Sequence, residues 1–519
     1  MNAIDSLRPH YDFIVCGSGS SGSVVARRLA ENPSASVLLV EAGSSDQVPS
    51  VAAAEQWPLN LGTERDWGFT AVPSADVNGR SVPLSMGRVL GGGSSINLMV
   101  WARGHQDDWD HFAFESGDAA WGYEAVLDIY RRIEDFHGAP DPDYRGIGGL
   151  VYVEPAPDPS PLAPATVAAA HAAGIPVFEN QNGRMMEHRA GVAVTDIRAR
   201  AGRRQSVFDS YVRPVLGRPN IDVITDTLVT RITIDGNRAA GVELFQAGST
   251  RRIAADTEVI LSLGAVNTPK VLMHSGIGPR EELHRLGITL KEHLPGVGQN
   301  LQDHPGFDCV WEHREPLAPR NNASEVTYFA TSRTDLDAPD LQTCQAEVPK
   351  SSAENIARFG LPEHGWTLFA GVVRPHSRGH IRLRSAYPLD PVDIHANMLS
   401  DPDDVKAAVA AVELCREIGN SEPLRPFTKR EVMPGSLRGV ELERFVRDAA
   451  SSYWHQTCTA KMGRDAMSVV DARLKVYGID GLRIADGSIM PRVTTGNTMA
   501  PCVVIGERAA DMIRQEQSL

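Results

Sequence analysis

Apolar residues near the start of the sequence fall into two short runs separated by a mixed segment. Tyr11 to Cys16 predicts a buried parallel strand, and Ser23 to Glu31 predicts the helix that follows it. Ser36 to Val40 predicts a second buried strand. The order strand, helix, strand is typical of a Rossmann-like α/β fold, in which helices connect parallel strands.

The periodicity predicts further elements along the chain. Trp109 to His137 has the spacing of two helices whose aromatic side chains belong to the core. Other helices are predicted at residues 165–173, 281–286, 403–418, 440–450 and 501–515, and other strands at residues 220–234, 241–245, 258–263, 367–373, 380–383 and from 482. The proline-rich residues 155–164 predict an irregular connection between domains.

Three glycines join the first strand to its helix with the spacing Gly17-x-Gly19-x-x-Gly22. Gly17 permits a tight turn, Gly19 lets the backbone approach a pyrophosphate, and Gly22 lets helix and strand pack closely. Glu41 ends the second strand, where a carboxylate can accept hydrogen bonds from ribose hydroxyls. The alternative is a turn that binds no ligand. The order of strand, glycine motif, helix, second strand and Glu41 favours dinucleotide binding instead. The motif does not distinguish NAD from FAD.

A second glycine-rich stretch occupies residues 86–104 and contains Gly91-Gly92-Gly93 followed by two serines. Consecutive glycines carry the largest backbone entropy cost, so this stretch is neither a helix interior nor a central strand. It is either a flexible turn or a backbone that lies against a flat ligand, and we favour the second interpretation.

The composition narrows the class of protein. With 519 residues, the chain predicts about three domains or two large ones. Its net charge of −14, spread along the sequence, argues against binding to nucleic acid or to an anionic membrane. We expect no signal peptide, no membrane-spanning segment and no metal site, and the six dispersed cysteines predict reduced thiols in a cytoplasmic protein.

Five segments together resemble the glucose–methanol–choline (GMC) oxidoreductases, and they cover nearly the whole chain. The matching segments are Gly17 to Gly22 with Glu41, Gly87 to Asn97, Gly264 to Pro279, Pro295 to His304, and Asp486 to Pro491. The resemblance implies FAD rather than NAD. It also implies a Rossmann-like FAD-binding domain interrupted by an α+β substrate domain with a mixed or antiparallel sheet. We expect the first at residues 1–155, 220–306 and 451–519, and the second at residues 156–219 and 307–450.

The resemblance also implies the catalytic pair. His455 falls where the family has the histidine that takes the alcohol proton, and Asn497 falls where a second histidine or an asparagine shares the alcohol oxygen. The chemistry agrees, because an alcohol becomes a good hydride donor only as its proton leaves, and histidine is a base suited to neutral pH.

The motifs and the resemblance together predict the cofactor contacts. These are Gly17, Gly19, Ser20, Ser21, Gly22, Glu41, Ala42, Arg88, Gly92, Gly93, Asn97, Met99, Val100, Val229, Trp454, Asp486, Gly487, Asn497, Thr498 and Met499. We expect Val229 at the adenine end and Asp486 near the phosphates and ribitol. Ile96 stands where members with covalent FAD have a histidine, so we predict non-covalent FAD.

Two departures from the family pattern affect the catalytic segments. The family usually has His-Pro-x-Gly-Thr around the base, whereas this chain continues from His455 with Gln456, Thr457 and Cys458. The family often has Asn-x-Asn where this chain has Asn497-Thr-Met. The first change leaves the conformation of the backbone around His455 unpredicted. The second leaves Asn497 as the one side-chain amide in this segment.

The leading functional hypothesis is oxidation of a small primary alcohol to its aldehyde, with O₂ or a quinone-type compound as electron acceptor. Residue order selects no alcohol: choline would require an aromatic cage, and aromatic, furanic, pyridoxine-like and aliphatic alcohols stay open. Trp454 either narrows access to the site or packs in the core. The alternative hypothesis is an FAD-containing hydroxynitrile lyase-like enzyme without net redox chemistry. Oligomeric state is not predicted.

Overall fold

The computed structural model describes residues 4–519; residues 1–3, with which the predicted first segment begins, lie outside this range. The helices are α1 Ser20–Leu29, α2 Pro49–Ala52, α3 Gln106–Ser116, α4 Tyr123–Ile133, α5 Leu162–Ala172, α6 Val207–Tyr211, α7 Gly264–His274, α8 Arg280–Arg285, α9 Ala353–Phe359, α10 Pro402–Gly419, α11 Gly439–Ala449 and α12 Met499–Gln517.

The strands are β1 His10–Cys16, β2 Val37–Val40, β3 Phe69–Thr70, β4 Pro83–Leu84, β5 Glu134–Phe136, β6 Val151–Pro155, β7 Gly191–Val194, β8 Asp196–Ile197, β9 Ala199–Arg200, β10 Arg203–Arg204, β11 Ile221–Ile224, β12 Leu228–Asp235, β13 Arg238–Gln246, β14 Ser249–Leu261, β15 Ile277–Gly278, β16 Glu292–His293, β17 Pro305–His313, β18 Val326–Ala330, β19 Leu341–Ala346, β20 Gly365–Val372, β21 His380–Leu383, β22 Val392–His395, β23 Thr428–Met433, β24 Ser451–Ser452 and β25 Leu482–Ile484.

One seven-stranded sheet has the order β11-β2-β1-β14-β13-β12, with β25 paired to β14. Its β1 and β2 are parallel and almost wholly buried, as expected for strands covered on both faces. The long β14 pairs antiparallel with β13 through its first half and parallel with β1 and β25 through its second. The sheet is therefore mixed, and α12 packs on α1 beside it.

A second seven-stranded sheet has the order β23-β17-β20-β19-β18-β7, with β24 paired to β17. All of these pairs are antiparallel, and every residue of β20 is buried. The helix α10 packs against β20. The predicted combination of a Rossmann-like sheet and an antiparallel sheet is confirmed, whereas the exact domain limits stay a prediction.

Several local boundaries differ from the prediction; for example, the helix predicted at 165–173 begins at Leu162, within the predicted irregular connection. The first helix begins at Ser20 rather than Ser23, because Gly19 is extended (φ −64°, ψ −167°) and forms its N-cap. The predicted strand 220–234 is two strands, since Asp226 adopts a left-handed conformation (φ 55°) and turns the chain between β11 and β12. The predicted strand 258–263 is only the buried end of β14, which ends at Leu261.

The predicted aromatic core of α3 and α4 is confirmed, because Trp109, Phe112 and Tyr130 are buried and Trp109 meets Tyr130 edge to face at 6.2 Å between ring centroids. All six cysteines are free thiols. Within residues 4–519, no helix combines the length and the apolar character that crossing a membrane would demand, and no cluster of three potential metal ligands occurs.

Candidate active site

A cavity extends from the residues that follow β1 and β2 to side chains of β19 and β20. It encloses about 1610 Å³, part of which is open to solvent. We call the part beside Gly17 and Glu41 the cofactor end, and the part beside His455 and Phe369 the substrate end.

Glycines build the cofactor end, and most of them leave no space for a side chain. A Cβ on Gly22 would lie 1.9 Å from the carbonyl oxygen of Gly17, and a Cβ on Gly17 would lie 2.3 Å from that of Ser262. Gly19 and Gly93 differ, because both line the cavity and a Cβ on either would meet no protein atom within 4 Å. Their side-chain positions point into ligand space, so the backbone itself forms the wall.

Two helices begin at the cavity without a capping side chain. Gly19 precedes α1 and Thr498 precedes α12, and neither helix has a side-chain hydrogen bond at its N-cap. The first N–H groups of each helix are therefore available to a ligand, and the helix dipole favours negative charge there. This arrangement suits a diphosphate at α1 and a developing negative charge at α12.

The Glu41 carboxylate is fixed at the end of β2. Its Oε2 accepts from the backbone N–H and the hydroxyl of Ser18 at 3.0 and 2.7 Å, and its Oε1 accepts from the N–H of Gly43 at 2.8 Å. Burial raises the pKa of this carboxyl, and these hydrogen bonds oppose the rise. A carboxylate has about four acceptor positions, so one remains for a ribose hydroxyl.

At the substrate end, His455 and Asn497 meet as predicted. The Nε2 of His455 lies 3.2 Å from the Nδ2 of Asn497, and the Oδ1 of Asn497 accepts from the Nε2 of Gln342 at 3.1 Å. Because Gln342 fixes the amide orientation, Asn497 donates to His455, and the Nε2 of His455 carries a lone pair.

His304 completes a chain of hydrogen bonds behind His455. The two Nδ1 atoms lie 2.9 Å apart, so the protonated Nδ1 of His455 donates to His304. Burial lowers the pKa of His304 to about 3, and burial with His304 lowers the pKa of His455. Both rings are uncharged at neutral pH, and the Nε2 of His304 faces the Val373 backbone without a well-formed hydrogen bond.

Asp303 holds the loop that carries the base. Its carboxylate accepts from the backbone N–H of His455 at 2.9 Å and from the Nε2 of Gln456 at 3.0 Å, and also from Ser452. Gln456, which stands where the family has proline, therefore ties the loop down by hydrogen bonding. Trp454 is left-handed (φ 62°), a strained conformation of the kind found at functional sites.

Most of the predicted site residues line this cavity. They are Gly17, Gly19, Ser20, Ser21, Glu41, Ala42, Gly92, Gly93, Asn97, Val100, Trp454, His455, Asp486, Gly487, Asn497, Thr498 and Met499. Val229 lines an adjoining cavity, which shares Ala42 and Trp67 with the first.

Three predicted contacts lie outside the cavity wall. Gly22 faces the Gly17 backbone, as its packing role requires. The Arg88 guanidinium lies 5.1 Å from the Trp67 ring centroid, and Met99 packs in a small apolar cluster with Ile197. The cofactor contacts of Arg88 and Met99 stay a prediction.

Sequence reasoning missed several residues of the substrate end. His304 and Tyr453 lie within matched segments but are assigned no role, and Gln342, Cys344 and Phe369 lie in stretches without a motif. Antiparallel pairing of β19 and β20, in which Cys344 is opposite Phe369, brings these two residues to the cavity. No local signal in the sequence indicates this pairing.

Comparisons with known proteins identify the family. Two family models, both described as GMC oxidoreductase, match residues 11–306 and 375–506. The oxygen-dependent choline dehydrogenase of Brucella anthropi is 36% identical, covering 97% of this chain and 95% of that protein. Mitochondrial choline dehydrogenase of Mus musculus is 36% identical, covering 99% and 91%. The crystal structure of pyridoxine 4-oxidase from Mesorbium loti is 30% identical, with TM-score 0.92, covering 98% and 100%.

Proposed function

Because the chain belongs to the GMC oxidoreductase family and is an FAD-dependent alcohol oxidoreductase, we propose that it oxidises a small primary alcohol to its aldehyde. The observation that carries the proposal is the contact of 3.2 Å between the Nε2 of His455 and the Nδ2 of Asn497, two residues that line the cavity. An alcohol oxygen within hydrogen-bond distance of both nitrogen atoms, replacing their direct contact, would donate its proton to His455 and accept from Asn497.

The residues of this chain divide the work between the two ends of the cavity. FAD, when bound, supplies the hydride acceptor. The Gly19 and Gly93 backbones would lie against it, and the start of α12 at Thr498 and Met499 would stabilise negative charge. At the substrate end, His455 takes the hydroxyl proton while Asn497 holds the oxygen, and together they align the carbinol C–H.

We further propose non-covalent FAD, since the aliphatic Ile96 lines the cavity, and O₂ or a quinone-type compound as the final acceptor. We place the activity in the cytoplasm, consistent with six free thiols. The choline dehydrogenases and pyridoxine 4-oxidase among the relatives make choline and pyridoxine two of the alcohols to test.

The test is anaerobic mixing of the yellow holoenzyme with benzylic, furanic, pyridoxine-like, aliphatic and choline-type alcohols. We expect the visible flavin absorbance to bleach with at least one of them. For that alcohol, His455→Ala should slow bleaching by about 10²–10⁴-fold without loss of FAD, because general base catalysis contributes about that much. The exposed His171→Ala is the matched control and should bleach at the wild-type rate.

Two results would count against this proposal. Bleaching of His455→Ala at the wild-type rate would show that His455 is not the general base. Yellow protein that bleaches with no alcohol but cleaves a cyanohydrin would be a lyase. Return of the colour in air would identify an oxidase, whereas return only with a quinone would identify a dehydrogenase.

A further inference from the structure

The carboxylates of the cavity wall all belong to the cofactor end. Among residues 4–519, those that line the cavity are Glu41 and Asp486. Asp486 accepts from the backbone N–H groups of Gly264 and Ser488 and from the Thr268 hydroxyl, at 2.9, 2.8 and 2.6 Å. The substrate end beside His455 therefore has no lining carboxylate that could accompany a positively charged substrate.

A buried positive charge without an ion pair also lies behind the cavity wall. Arg204 donates to the Asn97 side chain at 2.8 Å and to the Ser94 carbonyl at 3.2 Å, and both of those residues line the cavity. Within the described part of the chain, Arg204 forms no ion pair, and its Nη2 has no hydrogen-bond partner. Burial lowers the pKa of Arg204 to about 9, so the guanidinium still carries its charge at neutral pH.

The aromatic wall of the substrate end is also occupied by a cation. Phe369 stacks on Tyr453 with ring centroids 4.0 Å apart, and the Lys350 ammonium lies 3.4 Å from the Phe369 ring centroid. Lys350 is paired with Asp308, so that carboxylate is already neutralised. The faces of Phe369 are thus unavailable to a second cation, and the Lys350 charge acts on Cys344 in the cavity wall.

We propose that the substrate end selects uncharged alcohols and rejects quaternary ammonium alcohols such as choline. This inference rests on the proposed alcohol oxidation. Trp57 and Trp454 meet edge to face at 6.4 Å and still offer ring surface, but an aromatic cage without a carboxylate offsets only part of the cost of removing a cation from water. Arg204 adds positive potential behind the wall. Asp303 lies behind His455 but does not line the cavity, because its carboxylate accepts from His455, Gln456 and Ser452.

The experiment compares alcohols of equal shape and different charge. Choline is paired with 3,3-dimethylbutan-1-ol, and 4-(trimethylammonio)benzyl alcohol with 4-tert-butylbenzyl alcohol. The holoenzyme is assayed for kcat/KM with each compound, and each is also titrated against the visible flavin spectrum to give Kd. We expect the uncharged member of a pair to have at least tenfold higher kcat/KM and tighter binding, since the cation must shed water without gaining a counterion.

A pair of variants measures the missing counterion directly. Cys344→Asp places a carboxyl group in the substrate wall, where the Lys350 ammonium opposes the rise in pKa that burial causes, and Cys344→Asn is the uncharged match of the same size. The ratio of choline to 3,3-dimethylbutan-1-ol kcat/KM should be at least tenfold higher in Cys344→Asp than in Cys344→Asn.

The outcomes separate this inference from the proposed function. Choline handled as well as its uncharged match, or an unchanged ratio between two folded Cys344 variants, would overturn the charge selectivity. The charge selectivity would also be overturned if 3,3-dimethylbutan-1-ol and 4-tert-butylbenzyl alcohol neither reacted nor shifted the flavin spectrum. Bleaching with none of the broad alcohol panel would instead remove the proposed function, and the spectral Kd values would still report the preference of the cavity for charge.

Discussion

Backbone atoms form most of the cofactor end of the cavity, whereas side chains form most of the substrate end. At the cofactor end the wall is backbone: glycines stand where a Cβ would collide with carbonyl groups or enter ligand space. At the substrate end the wall is side chain, and His304, His455 and Asn497 align through their rings and amide. A substitution at the first end changes whether the ligand fits, whereas one at the second changes what the protein does with it.

The largest effect is expected from Gly22→Ala at the cofactor end. Its Cβ would lie 1.9 Å from the Gly17 carbonyl oxygen, and overpacking typically costs about 1–3 kcal/mol and occasionally more. We expect a lower melting temperature and colourless protein. Gly19→Ala is the matched control, since it meets no protein atom within 4 Å and Gly19 has φ −64°. It should fold normally and still lose FAD, and a yellow Gly19→Ala protein would refute a backbone-built wall.

The next largest effect is expected from His304, a positioning residue of the substrate end. His304→Leu removes the acceptor for the Nδ1–H of His455, so His455 can change tautomer and lose its lone pair at Nε2. We expect kcat/KM to fall by about 10–100-fold, comparable to the loss of a buried hydrogen-bond partner, and the pH profile to shift while FAD content stays constant. His304→Gln, which can still accept, should restore part of the rate. An unchanged pH profile in His304→Leu would limit His304 to packing.

The smallest effect is expected from two carboxyl groups behind the substrate end. Ser160 donates to Glu347 and, through its N–H, to Glu325 at 2.6 Å. Burial and the neighbouring Glu325 raise the pKa of Glu347 to about 7. The stability that depends on a protonated Glu347 is complete below the unfolded pKa near 4.5 and is lost as pH rises through about 7.

We therefore expect the melting temperature of the wild type to fall between pH 5.5 and pH 8. Glu347→Gln should flatten this dependence and gain about 1–2 kcal/mol at pH 8, whereas the exposed Glu413→Gln should not. The loop that carries Glu325 also carries Asn322, whose backbone carbonyl accepts from Trp57 at 3.1 Å and whose side chain donates to the Leu98 carbonyl at 2.6 Å.

Because Trp57 and Leu98 line the cavity, substrate KM should vary with pH more than FAD content does. Equal changes in KM and FAD content would contradict the proposed separation of the two ends.

The sequence predicted the cofactor end far better than the substrate end, for a physical reason. Gly17, Gly19 and Glu41 lie within or beside one strand-helix-strand unit. Their relative positions are therefore set locally, and the spacing of the residues along the sequence is enough to predict them. His455 and Asn497 were identified by resemblance alone. Gln342 and Phe369 reach the site through the pairing of β19 with β20. Both strands are buried along their whole length, and such a pattern does not specify the partner or the register.

The start of α12 lies beside the glycine turn after β1, so the cavity wall joins residues 17–43 with residues 486–499. During synthesis, the first of these segments leaves the ribosome long before the second. The wall of the cofactor end is therefore incomplete until residues 486–499 have been synthesised. We expect a chain that ends before residue 486 to purify without flavin, although it contains the glycines of residues 17–22.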